Sequence, residues 1–72
     1  MENTNAQVGK YRHYKGNQYE IVTIGTHTET GEKLVIYRAV SEPLHIWVRP
    51  YDMFFEMVTV GGIEMPRFQK IT

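Results

Sequence analysis

Three histidines, His13, His27 and His45, are the side chains of this 72-residue chain best suited to proton transfer or metal binding near neutral pH. No two of them stand at the i, i+2 or i, i+4 spacing that usually anchors zinc ligands, and the chain has no cysteine. No metal site is therefore expected, and disulfides and thiolate sites are excluded. Nucleophiles are equally scarce. Ser41 is the only serine and sits in the turn-like "SEP" stretch, and no two carboxylates stand on adjacent positions. An acid–base pair also needs a pocket that shifts its pKa values, which so short a chain seldom encloses. "VGGI" at 60–63 is two glycines in a hairpin turn, without the pattern of a phosphate loop. "TETGE" at 28–32 has too few oxygen ligands for calcium. The expectation is a protein with no catalytic residue, no cofactor and no enzymatic activity.

Aromatic and basic side chains are the other source of chemistry. "KYRHYKGNQY", residues 10–19, packs three tyrosines, three cations and a histidine into ten positions. Tyr, Trp and Arg combine large rigid area with hydrogen-bond donors, so they are enriched at binding hot spots. Eight basic and eight acidic side chains cancel over the whole chain, which argues against a dedicated non-specific nucleic-acid binder.

These residues sit on short strands. Breakers at "KGNQ", "TETGE", "SEP", "RP" and "VGGI" separate runs rich in β-branched and aromatic residues: "YEIVTIGT", "KLVIYRAV", "LHIWVR" and "FFEMVTV". No window carries a long apolar set at helical spacing. A single helical turn is expected at "RPYDMF", with Pro50 at or near its first position. Residues 1–7 are polar and aperiodic and read as a disordered tail, leaving 8–72 as one domain. Nothing apolar near Met1 resembles a signal peptide, and no run approaches membrane-span length. With no cysteine, this suggests a cytoplasmic protein. Five or six strands in so little chain suggest a small barrel or sandwich.

Turn lengths predict registers. A two-residue turn at Gly16-Asn17 sets Tyr14 opposite Tyr19 and Tyr11 opposite Val22. A three-residue turn at 29–31 sets Ile24 opposite Ile36. A three-residue connection at 41–43 sets Val40 opposite Leu44 and Tyr37 opposite Trp47. Chained together, these give an aliphatic face (Tyr11, Val22, Ile24, Leu34, Ile36, Val40, Leu44, Ile46, Val48) that reads as core. The opposite face is aromatic and basic (Arg12, Tyr14, Tyr19, Ile21, Val35, Tyr37, His45, Trp47, Arg49). Arg38 falls among the aliphatics, so either it reaches a carboxylate such as Glu20 or a bulge shifts the register nearby. A one-residue slip in any of these turns would exchange the faces.

The strings "GKYRHYKGNQYEIV", "HTETGEKLVIYRA", "WVRPYDMFFE" and "PRF", in that order from about Gly9 to Phe68, resemble the bacterial domain of unknown function 1653 family. That resemblance implies a compact SH3-like β-barrel and no particular activity.

The expected fold is thus all-β: a small SH3-like barrel of five to six short antiparallel strands, with one helical turn near Pro50. The candidate binding residues are Arg12, Tyr14, Tyr37, His45, Trp47 and Arg49. The alternative is that these rings are covered by Phe54, Phe55, Phe68 or the C-terminal segment, because so small a domain needs its aromatics inside. Arg49 also has a structural reading, as the partner of Asp52 across the helical turn. The expected partner is a protein or peptide, with single-stranded nucleic acid behind it and no membrane. The rival is a homodimer that serves as an assembly element.

Overall fold

The computed structural model describes residues 8–71, so the expected polar tail at 1–7 lies outside the described residues. The chain runs β1 (Gly9–His13), β2 (Gln18–Thr26), β3 (Lys33–Ala39), β4 (Glu42–Pro50), α1 (Tyr51–Phe54), β5 (Met57–Val60), β6 (Ile63–Pro66) and β7 (Phe68–Lys70). The all-β expectation holds. The described residues carry seven strands where five to six were expected, and the helical turn starts where Pro50 predicted it. Five strands form one antiparallel sheet in the order β4-β3-β2-β1-β7, and β5-β6 form a separate hairpin. Strands β4 and β7 end the sheet without pairing to each other, so it is open rather than a closed barrel.

Local chemistry accounts for the turns. Gly61 and Gly62, both at positive φ (58° and 82°), make the two-residue turn between Val60 and Ile63, a conformation that glycine adopts without strain. In the loop after β2, the His27 imidazole Nδ1 accepts the amide N–H groups of Glu29 and Thr30 at 3.0 and 3.3 Å. The backbone closes beneath it, with the Gly31 N–H donating to the His27 carbonyl at 2.8 Å. Pro50, with φ −54° and ψ 140°, ends β4 and starts α1.

The registers decide which face is inside. Strands β1 and β2 are joined by four residues, 14–17, and Tyr11 pairs with Tyr19. That is three residues away from the expected Tyr14–Tyr19 pairing. Ile24 pairs with Val35 rather than Ile36, and a bulge between Ile21 and Thr23 moves the register again, setting Ile21 opposite Tyr37. Odd slips exchange faces because side chains alternate along a strand. Only the β3–β4 register, with Tyr37 opposite Trp47, falls as expected. Even there, the turn is the two residues 40–41 and Pro43–His45 bulge out, so Val40 does not face Leu44.

The aliphatic face expected as core is therefore mostly the outer face, and the aromatic face lies inside. The buried residues are Tyr11, Ile21, Val35, Tyr37, Phe54 and Phe68, with Tyr19, Ile24, Tyr51 and Phe55 packed against them. Phe54 and Phe68 stack at 4.0 Å with nearly parallel rings, and Tyr37 meets both edge-on at 5.2 and 5.7 Å. Aromatic side chains each bury roughly 150–250 Å², so four of them supply most of what a core this small can gather. Arg38 meets both expectations at once. It lies near the bulge, and its Nη2 is 2.9 Å from Glu20 Oε1.

Candidate functional site

An edge strand positions the candidate site. Alternation along β4 sends His45, Trp47 and Arg49 toward the inner side, but the first seven residues of β4 are all exposed. The aromatic core ends short of this corner. What remains there is a cleft of about 240 Å³ lined by Tyr19, Tyr37, Ala39, Glu42, Trp47 and Arg49. Small-molecule sites usually run to roughly 300–1,000 Å³, so this space suits one side chain or one planar ring.

Its walls are held firmly. Tyr37, only 5% exposed, forms the floor. Its hydroxyl oxygen accepts a hydrogen bond from Arg49 Nε at 3.3 Å, and the Arg49 guanidinium also lies over Phe68, 5.8 Å from the ring centre. One nitrogen and one face of the guanidinium are thus committed to the protein, while its terminal nitrogens have no partner among the described residues. Trp47 is 47% exposed, and the His45 imidazole stacks on it at 4.3 Å and 10°. This bracing gives the indole a fixed orientation at low entropic cost. Glu42 makes no ion pair among the described residues. The cleft therefore offers aromatic faces, a cation and an anion within one small space.

Tyr37, Trp47 and Arg49 come together as expected, with His45 behind Trp47. Arg12 and Tyr14 do not join them. Arg12 is exposed on β1, opposite Gln18 and Gln69. Tyr14 lies in the turn after β1, packed on His13 at 4.5 Å with the Lys15 ammonium 5.9 Å from its ring centre. The slip in the β1–β2 register separates them from the rest. Arg49 turns to Tyr37 rather than Asp52, so the expected brace across α1 does not form. Glu42 and Ala39 escaped the sequence reading because a three-residue turn hid Glu42 in the connection. Tyr19 belongs to the aromatic set as expected, but it stands opposite Tyr11 rather than Tyr14.

The histidines are dispersed, and the described residues hold no cluster of three or more metal-ligating side chains. His13 packs edge-on against Phe68 at 4.9 Å, and its Nδ1 accepts the Lys15 amide N–H at 3.2 Å. Burial lowers its pKa below the ordinary histidine value, and the positive charges of Arg67, Lys15 and Arg49 lower it further. The ring is thus a neutral packing element. Burial raises the Tyr11 hydroxyl pKa, with a further contribution from Tyr51. No helix of the described residues is long and apolar enough to cross a membrane.

These features define a small antiparallel β domain whose sheet is capped on one side by a helical turn and stacked rings. The pattern of the protein of unknown function family DUF1653 matches residues 9–70, and the chain belongs to that family. A crystal structure of a DUF1653 protein from Bordetella bronchiseptica superposes with a TM-score of 0.78 at 31% identity, covering 89% of this chain and 85% of that one. A search of curated proteins finds no match.

Proposed function

We propose that this domain is a binding module without chemistry of its own, and that it engages a protein or peptide through the cleft at the inner corner of β4. The observation that carries this reading is Trp47, half exposed and braced by His45 beside an arginine whose terminal nitrogens are unused. Exposed tryptophan and arginine around a small cleft that a partner would desolvate are what hot spots are made of. A peptide side chain that stacks on the indole and presents an acceptor to Arg49 or a donor to Glu42 fits both the size and the charges. The balanced charge of the chain argues against single-stranded nucleic acid as the main partner. The cysteine-free sequence is consistent with work in a reducing cytoplasm.

Trp47 is the only tryptophan, so its fluorescence tests the reading directly. Acrylamide is expected to quench it appreciably in the native protein, and capture of a partner from lysate is expected to suppress that quenching. Trp47→Ala is expected to abolish capture, while nuclease treatment leaves it intact. Native quenching as weak as that of a buried indole would refute the reading, and so would capture that survives Trp47→Ala.

A further inference from the structure

The two edges of the five-stranded sheet are finished differently. Strand β7 is three residues long, and Lys70 at its end donates from Nζ to the Val8 carbonyl at 2.9 Å. Short length and lysine are the usual guards against a foreign strand. Strand β4 has nine residues, and 43–48 include no Lys, Arg, Asp or Glu. Its bulge at 43–45 interrupts only the first half, so 46–49 stand as an open edge among the described residues. The ladder sets which backbone groups are open there. Arg38 pairs with Glu20, and the Val40 N–H donates to the Gln18 carbonyl at 3.1 Å, so the even-numbered residues of β3 bond to β2 and the odd ones to β4. Val35 and Tyr37 therefore bond to Arg49 and Trp47, and the N–H and C=O groups of Ile46 and Val48 point away from the sheet. Pro50, which has no N–H to lose, falls in that same outward phase. The side chains break off at the same line. Along the inner cross-strand row, Ile21 is 1% exposed, Tyr37 5% and Trp47 47%, and the next place in the row is empty.

We infer, resting on the binding role proposed for the cleft, that β4 takes up an extended peptide as a sixth antiparallel strand, with a tyrosine of the peptide opposite Trp47 and apolar residues on either side of it. Main-chain hydrogen bonds to Ile46 and Val48 supply affinity, and alternate side chains supply specificity. In this phase the residue opposite Trp47 forms a non-hydrogen-bonded pair, where side chains come closest, at about 4.5 Å between Cα atoms. Its side chain enters the cleft of about 240 Å³, which has room for one ring. A tyrosine hydroxyl there accepts from the terminal nitrogens of Arg49 and donates to Glu42, so it answers both charges of the cleft. The residues before and after it turn to the outer side, beside the exposed Ile46 and Val48, and are therefore apolar. A second copy of the chain has nothing to place in the cleft. Its His45 and Trp47 are stacked on each other, and its Arg49 is held by Tyr37 and Phe68.

The test uses a fluorescein-labelled peptide, Lys-Thr-Val-Tyr-Val-Thr-Lys-amide, followed by fluorescence anisotropy. Binding to the wild-type domain is expected with a dissociation constant below about 1 mM. Replacing the peptide tyrosine by alanine, or Trp47→Ala in the protein, is expected to weaken it by about tenfold or more. N-methylation at either peptide valine removes an N–H that bonds Ile46 or Val48, with a similar loss expected. N-methylation at the tyrosine, whose N–H points away from β4, is expected to change binding by no more than about threefold. Amide hydrogen exchange reads the edge directly: Ile46 and Val48 are expected to exchange fast in the free protein and slowly with the peptide bound. No binding at millimolar peptide overturns the inference, as does equal loss on methylation at all three positions or fast exchange of Ile46 and Val48 at saturation. Partner capture from lysate that needs Trp47, together with no binding of this peptide, leaves the cleft as a binding site and overturns the strand pairing alone. A species of twice 8.5 kDa in which Ile46 and Val48 are already protected without peptide assigns the edge to a second copy and overturns it too.

Discussion

The two faces of one sheet reverse the usual division of labour. Inside, Tyr11, Tyr37, Phe54 and Phe68 interlock with Ile21 and Val35; outside, Val22, Ile46 and Val48 face solvent. Aliphatic side chains are the ordinary choice for a core, yet here rings fill it and most of the aliphatics stand open. Size explains the inside. With six buried positions available, each must remove as much apolar area as possible, and a ring removes more than a valine. Size does not explain the outside, because nothing in the stability of a monomer asks for a row of exposed valines and isoleucines. The difference teaches that the inner face carries the stability of the fold, while the outer face adds little burial to the single chain.

The comparison breaks first, and most severely, at Phe54. This ring is fully buried, stacks on Phe68 and touches Tyr11 and Tyr37 edge-on. Phe54→Ala is expected to cost ~3–5 kcal/mol, comparable to the whole stability of a small domain. Urea titration is expected to find the variant largely unfolded without denaturant. A loss below about 1 kcal/mol, the scale of an ordinary substitution, would mean that the aromatic cluster is not the core.

A smaller loss is expected at Gly16, in the turn that joins β1 to β2. Its φ of 109° is one that side chains rarely adopt, although a Cβ there would meet open space. Gly16→Val is expected to destabilise by ~1–2 kcal/mol through backbone strain alone. Gly16→Ala is expected to lose nearly as much. A large gap between the two variants, read from melting temperatures, would point to crowding instead.

The elements were largely legible in the sequence, and the faces were not. Breakers such as Gly61-Gly62 and Pro50 bound their elements because their backbone preferences are local. Whether Tyr11 faces in or out depends on turn length modulo two. That is a property of the whole 14–17 connection and of the bulge between Ile21 and Thr23, which no single residue announces. Tyr37, Trp47 and Arg49 were found together because all three depend on the one register read correctly, between β3 and β4. Arg12 and Tyr14 were misplaced with β1. Glu42 was hidden by the bulge at the start of β4.

Acid sharpens the contrast through His13, which belongs to the inner cluster. Its folded pKa lies below the ordinary value, so the unfolded chain binds a proton more readily. Stability is therefore full above the usual histidine pKa, about 6.5, and falls as pH drops from there toward the folded pKa. Below that point His13 contributes no further loss. Denaturation midpoints at pH 7.5 and successively lower values are expected to show the decline, and His13→Gln is expected to flatten it. An unchanged slope in His13→Gln would assign the decline to carboxylates.

The finest test uses one change of nearly constant shape on the two faces. Val35 is fully buried opposite Arg49, while Val48, on the neighbouring strand opposite Ile36, is open to solvent. Threonine keeps the β-branched shape and the strand preference, so Val→Thr isolates the cost of placing a hydroxyl at each site. At Val35 the hydroxyl has to leave water among apolar neighbours, and a loss of about 1–3 kcal/mol is expected. At Val48 it stays hydrated, and the expected change is within about ±0.5 kcal/mol. Equal losses at the two positions in dilute solution would show the outer face to be as covered as the inner one, and the division between them would fall.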